Sequence, residues 1–245
     1  MRLYVIRHGH KASETPDYDG GPDTPLTETG HQQAERVAAF LAEEDIDRLY
    51  SSCQRRALQT TEPIDDRIQA EWNVWPVFCE SSTSDLSRRI EEDPQILEHL
   101  AAWRDTSLED WAATEPEPYD RGGYRSLSTI DELYETATLT QPFPWPDAWW
   151  LPLRNQVHSM GYARVELGIN TTLSHADPED HVAIVCHGNS GDQILSTLMD
   201  FPRRHQRRRF AFDHTGVARL DRLETGDWRI RYTNRTDHLP PTLKT

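Results

Sequence analysis

The feature that most limits what this chain can fold into is a repeated order of segments. A short apolar run is followed by a polar turn, and then by a stretch of helical period. Residues 3–6, 46–50 and 74–79 are such runs, and 182–186 (Val-Ala-Ile-Val-Cys) is the clearest. Runs this short and apolar fit strands buried on both faces. Thr27 is placed to cap a helix, with Glu28 in its first turn and Ala34, Val37, Ala38 and Leu41 at helical spacing. Ser52 is placed to cap a second helix ending near residue 68, and a third is expected over 190–199. Closing strands are expected at 209–213 with 217–220, and at 228–232. Strands alternating with helices predict an α/β fold, a mostly parallel sheet with helices on both faces.

Residues 81–176 break this order. Helical stretches near 94–105 and 155–173 flank Pro-rich segments at 115–118 and 141–146. Trp145, Trp149 and Trp150 cluster there and read as local core. The reading is a single domain of 245 residues in which 81–176 is a helical and irregular insertion, expected to cover the mouth of a site.

Two histidines stand where apolar runs end, and each is followed by glycine: Arg7-His8-Gly9 and His187-Gly188. In open α/β sheets, ligands bind at the carboxyl ends of the strands. Glycine there lets a ligand approach the backbone N–H. Arg55 and Arg56 fall in the first turn of the helix after Ser52. A cation opposes the helix dipole at that end, by a few tenths to about 1 kcal/mol. Beside free N–H groups it forms an anion site instead. Each motif alone reads as a strand-end turn or a solvated pair; together they point to one anion-binding pocket.

The formal net charge of −15 disfavours nucleic acid and anionic membranes as partners. An anionic small substrate therefore needs a local concentration of positive charge. Nearly all the cations are arginine, Lys11 and Lys244 being the only lysines. The basic run 203–209 reads as a solvated face, or alternatively as an approach to the pocket mouth that binds extra phosphate. His8, His10, His31 and His187 come with no acidic ligand set at a recognisable spacing, so neither metal nor cofactor is expected. Cys53, Cys79 and Cys186 make no disulfide framework, and Cys186 reads as a reduced core residue. With no charged-then-apolar leader, and no run near the roughly 18 apolar residues of a membrane span, a cytoplasmic setting is expected.

In this order and spacing the motifs resemble the histidine phosphatase (phosphoglycerate mutase-like) superfamily. Arg7-His8-Gly9 looks like its Arg-His-Gly signature, and Pro25-Leu26-Thr27 with Gly30 and Ala34 resembles the segment that follows. Arg56-Ala57-Leu58-Gln59-Thr60 is similar to the family's Arg-Ala-x-Gln-Thr helix start, which makes Arg56 rather than Arg55 the phosphate ligand. Val185-Cys186-His187-Gly188 looks like the second histidine motif, and 234–239, with His238-Leu239, like the final segment. The matches cover roughly residues 1–80 and 180–240, and 81–176 matches nothing recognisable.

The resemblance implies a phosphoglycerate mutase-like three-layer sandwich. It implies a phosphomonoester hydrolase that forms a phosphohistidine on His8 without a metal. Arg7, Arg56, His187 and Gly188 would bind the phosphoryl group. Glu80 would be the proton donor, with Asp85 in reserve, although Ser81-Ser82-Thr83-Ser84-Asp85 replaces the family's usual following residues. Glu14 stands where the family's mutases and many of its phosphatases carry asparagine, and the mutases' substrate-binding stretch after it is absent, which favours hydrolysis; Glu14 itself is expected to face solvent. The alternatives are a phosphoglycerate mutase-type transferase and a weakly catalytic phospho-ligand-binding module. The implied substrate is a phosphorylated small molecule or a phosphoprotein.

Overall fold

A computed structural model describes residues 1–21, 23–80, 124–139, 158–201 and 208–245. Strand β1 (Arg2–Arg7) buries residues 3 to 6 completely. Successive side chains on a strand face opposite sides. Tyr4 and Ile6 therefore enter one core, and Leu3 and Val5 another. In the same way β5 (His181–Cys186) sends Ala183 and Val185 to the first core and Val182, Ile184 and Cys186 to the second. The first core is closed by α1 (Glu28–Leu41), α2 (Arg55–Ile68) and Ile130 of the short α3 (Leu127–Leu133). The second is closed by Val165 and Ile169 of α4 (His158–His175) and by Ile194 and Leu195 of α5 (Gly188–Leu198). This is the three-layer α/β sandwich that the alternation of strands and helices predicts.

The remaining strands are β2 (Arg48–Ser51), β3 (Glu71–Val74), β4 (Ala137–Thr138), β6 (Val217–Arg222) and β7 (Trp228–Arg235). The sheet order is β4-β3-β2-β5-β1-β6-β7. Pairings from β4 through β1 are parallel, and β6 and β7 add antiparallel. Arg7 lies opposite Cys186 in the β1–β5 register, so His8 and His187 leave the sheet side by side. The His8 N–H extends that ladder by one bond, to the Cys186 carbonyl at 3.0 Å.

Several expected boundaries move for identifiable reasons. The third strand is Glu71–Val74 rather than 74–79, and Pro76–Phe78 is a 3₁₀ turn. Pro76 has no N–H for a ladder, and its fixed φ suits the first position of a helical turn. The carbonyls this turn leaves are collected by Arg164, fully buried on α4. It donates to Pro76 O at 3.0 Å, to Val77 O, and to Cys79 O at 2.7 Å. The N-cap of α2 is Gln54, not Ser52. Residues 209–213 form no strand, because Asp192 Oδ1 takes the N–H groups of Arg209 (2.8 Å) and Phe210 (2.9 Å). Helix α5 starts two residues early, at Gly188.

The described parts of 81–176 join the main sandwich: β4 extends the sheet edge beside β3, and α4 packs on the second core. The two-residue β4 has no strong sequence signal, whereas α4 falls on the helical stretch expected at 155–173. The expected helix near 94–105, Asp85, Trp145, Trp149, Trp150 and residues 203–207 lie outside the described residues, as does most of the expected cover over the site.

Candidate active site

The loop after β1 is pressed against the start of α1, and this fixes His8. A Cβ on Gly9 would stand 2.6 Å from the Gly30 carbonyl, and one on Gly30 would stand 2.1 Å from the His10 carbonyl. Both contacts are with backbone, so only glycine allows the approach. Thr27 caps α1 as expected, its Oγ1 accepting the Gly30 N–H at 3.1 Å. The Gly9 N–H goes to Thr60 Oγ1 of α2 at 3.0 Å.

His8 is buried. Its Nδ1 lies 2.7 Å from the Gly9 carbonyl, a geometry that places the proton on Nδ1. Nε2 is left with its lone pair, which accepts from Arg56 Nε at 3.2 Å. Burial, then the charges of Arg56 and Arg7, hold the imidazole well below its ordinary 6.5. A buried, neutral imidazole with a fixed tautomer and an outward lone pair is a nucleophile awaiting an electrophile.

Arg56 projects from the first turn of α2 into the site, and its Nη2 donates to Gln54 Oε1 at 3.1 Å. That oxygen also accepts the Glu80 N–H at 2.8 Å, which ties the two residues together. The Arg55 N–H is bound by Asp23 Oδ1 at 2.8 Å, outside this group. Arg7 Nη1 donates to the Phe212 carbonyl at 2.8 Å. Its Nη2 lies 2.9 Å from His214 Nε2 and 3.4 Å from Glu14 Oε1.

Glu14 corrects an expectation. The residue as a whole is exposed, its side chain by 32%, but its carboxylate is engaged by His214 and Arg7 rather than left to solvent. Oε2 lies 3.0 Å from His214 Nε2, and Oε1 lies 3.8 Å from Lys11 Nζ. The hydrogen bond to His214 and the nearby cations hold the carboxyl at about 2, against the effect of burial, so it is ionised.

The His187 ring lies 5.1 Å from the His8 ring, centroid to centroid. Its Nε2 is 2.8 Å from Ser52 Oγ, which donates onward to Cys79 Sγ at 3.2 Å. Ser52 Oγ therefore accepts from His187, and Nε2 carries the proton. Nδ1 is buried without a partner. Burial, Arg56 and His8 push this imidazole well below 6.5. The Glu80 carboxylate accepts the Asn189 N–H in the first turn of α5, while Oε1 is buried without a partner. Burial pushes its carboxyl up from 4.5, against the pull of Arg56, Arg208 and Arg7.

His8, Arg7, Arg56, His187, Gly188 and Glu80 thus converge at the carboxyl ends of β1 and β5. Ser52, His214, Lys11 and Arg208 also stand at this place; sequence reasoning gives Ser52 only a capping role, Arg208 only its share in the alternative reading of the run 203–209, and the other two none. Lys11 carries a faint signal, as one of two lysines in an arginine-rich chain. His214 carries none, because its loop binds Arg7 only through folding. Among the described residues, no group of three or more His, Cys, Asp or Glu is arranged to hold a metal.

A sequence profile of the histidine phosphatase superfamily (branch 1) matches residues 3–141. This chain belongs to that superfamily. The match runs past Glu80 into the stretch where no motif is legible. Among curated relatives, the adenosylcobalamin/alpha-ribazole phosphatase of Salmonella typhimurium is 28% identical over 148 residues, 57% of this chain and 71% of the relative. A 2,3-bisphosphoglycerate-dependent phosphoglycerate mutase of Bifidobacterium longum is 34% identical over 74 residues, 29% of this chain and 30% of the mutase. Among solved structures, the mycobacterial glucosyl-3-phosphoglycerate phosphatase aligns with a TM-score of 0.61 at 19% identity, covering 96% of this chain and 99% of that one. This last likeness concerns the fold. Among the described residues, no helix is long and apolar enough to cross a membrane.

Proposed function

We propose that this chain hydrolyses phosphomonoesters through a phosphohistidine on His8, without a metal. One observation carries the reading: the His8 Nδ1–H is tied to the Gly9 carbonyl, so Nε2 presents its lone pair beside Arg56. In the first step Nε2 attacks phosphorus in line, and the bond from phosphorus to the ester oxygen breaks. Arg7, Arg56 and the Gly188 N–H at the start of α5 neutralise the phosphoryl oxygens, and His187 joins them by taking a proton on its unpartnered Nδ1 once the dianion is bound. Glu80 gives its proton to the leaving oxygen. In the second step water attacks phosphorus and gives a proton to Glu80, the P–N bond breaks, and His8 regains its lone pair.

Metal independence rests on the charge that these arginines already supply. The phosphatases among the relatives support hydrolysis, and the substrate class they suggest is a phosphorylated small molecule. Three free, buried cysteines support a reducing, cytoplasmic setting.

The test is rapid quenching with a phosphate-labelled substrate. A phosphoramidate is labile in acid and stable in alkali, so label of that kind is expected on the wild type and absent from His8→Ala. Turnover should persist in EDTA. Undiminished turnover by His8→Ala would overturn the nucleophile. Loss in EDTA restored by one divalent metal would overturn metal independence. Phosphate binding without turnover would leave the binding-module reading.

A further inference from the structure

The predicted site accounts for the phosphoryl group but leaves two cations at its mouth unused. Arg208, from the basic run 203–209, is exposed, and its Nε donates to the side-chain oxygen of Asn189. Its Nη1 stands 3.1 Å from where a Cβ on Gly188 would be, so the guanidinium lies across the start of α5. Its neighbour Arg209 turns elsewhere, over the Phe201 ring at 5.3 Å. Lys11 leaves the loop after His8 with its side chain 28% exposed. Its charge is felt by Arg56, Glu80 and Arg7.

Asn189 decides which part of a substrate these cations meet. Its N–H holds the Glu80 carboxylate, and its side chain holds Arg208. The acid must lie beside the ester oxygen, so Arg208 lies beside the leaving alcohol rather than the phosphoryl oxygens. Arg7, Arg56, Lys11 and Arg208 stand together here, with Glu14 against Arg7 and Lys11, while Asp213 and Asp23 are bonded to the Asn234 amide and to the Arg55 N–H. In a chain of net charge −15, four cations gathered at one place are a specific feature.

We propose that Arg208 and Lys11 form a second anion site at the pocket mouth, and that the natural substrates are small phosphomonoesters whose alcohol carries another anionic group, a carboxylate or a second phosphate. The proposal rests on the phosphatase reading above and adds the substrate class.

The experiment compares kcat/KM for phosphoglycolate with that for 2-hydroxyethyl phosphate, which has the same two carbons and no second charge. Ethylene glycol bisphosphate serves as the phosphate arm. The wild type should prefer the anionic substrates by about tenfold, a moderate charge-pairing effect. Whichever arm shows the larger preference identifies the second group. Arg208→Ala and Lys11→Met should each reduce the ratio, and the double variant should bring it near one. Arg208→Lys should restore part of it. Added salt should lower the wild-type ratio, since an exposed pair is screened, a response that a purely structural role for Arg208 would not give. A wild-type ratio near one, or a ratio unchanged in the double variant, overturns this proposal alone. Failure of the wild type to hydrolyse any of the three overturns the phosphatase reading, and this one with it.

Discussion

Replacing Glu80 by glutamine tests the acid directly. The side chain keeps its size and an oxygen for the Asn189 N–H, but loses the proton that the leaving oxygen needs. Burial of Oε1 raises the carboxyl above its ordinary 4.5, which keeps the acid protonated to higher pH. His8 is displaced the other way, well below 6.5, so it stays neutral in mildly acidic solution. The productive form, neutral His8 with protonated Glu80, is therefore favoured on the acid side of neutrality. An alkoxide is a strong base and must be protonated as it leaves, whereas a nitrophenolate leaves unaided. General acid catalysis contributes about 10²–10⁴-fold, or roughly 3–5 kcal/mol of barrier. Glu80→Gln should lower kcat/KM, which reports the phosphorylation of His8 and not the later attack of water, by that factor for an alkyl phosphate and by less than about tenfold for p-nitrophenyl phosphate. Steady-state rates from acid to mildly alkaline pH should give a second signature. Wild-type activity on the alkyl substrate should fall as rising pH takes the proton from Glu80. The aryl profile should lack that limb, and the variant should lose it on the alkyl substrate. Equal slowing of the two substrates would refute the acid role and make Asp85 the next residue to change.

Three further outcomes follow from the packing. Ser52→Ala leaves the His187 Nε2–H and the Gln54 N–H without their buried acceptor, so stability in denaturant melts should fall by about 1–3 kcal/mol. Activity should fall with it as His187 loses its fixed tautomer, and an unchanged pH–rate profile would count against that role. Gly30→Ala brings a methyl against the His10 carbonyl and should cost about 1–3 kcal/mol; a melting temperature equal to wild type would show that α1 can shift freely. Burial holds His238 at about 4, below its ordinary 6.5. Its neutral form therefore contributes stability that is complete above about 6.5 and lost as pH falls towards 4. The decline in stability over that range should be shallower in His238→Gln, and an equal slope would sink the attribution.

The parts of this fold that are legible in sequence are those where one local pattern decides one structural fact. The run 182–186 has to be a buried strand, and Thr27 before Glu28 has to start a helix. Arg7-His8-Gly9 and His187-Gly188 announce a site because each couples a strand end to a glycine. The local pattern does not disclose that β1 and β5, from opposite ends of the chain, lie side by side. Only that adjacency makes the two histidines neighbours. Boundaries fail where a side chain takes over a backbone partner. Asp192 removes two N–H groups from the expected strand at 209–213, and Arg164 gathers the carbonyls of the turn that replaces the end of β3. Both partners are distant in sequence, and neither sits in a motif.

The same limit explains Glu14 and gives it a consequence. Read locally, a glutamate in a polar loop points to solvent. Folding brings His214 against it, and the pair closes around Arg7 with the carboxylate ionised. A neutral side chain at this position would leave Arg7 with its full charge for a phosphoryl group. Here Arg7 is bonded to the Phe212 carbonyl and partly neutralised by Glu14 before any substrate arrives. More of the work of attracting an anion then falls to Arg56 and to the two cations at the mouth. Glu14→Gln should consequently tighten inorganic phosphate, measured as a competitive inhibitor, while narrowing the preference for substrates with a second anionic group, because Arg7 would then share a role otherwise left to Lys11 and Arg208. Weaker phosphate inhibition in Glu14→Gln would instead mean that the carboxylate acts by holding Arg7 in place, and that its geometry matters more than its charge.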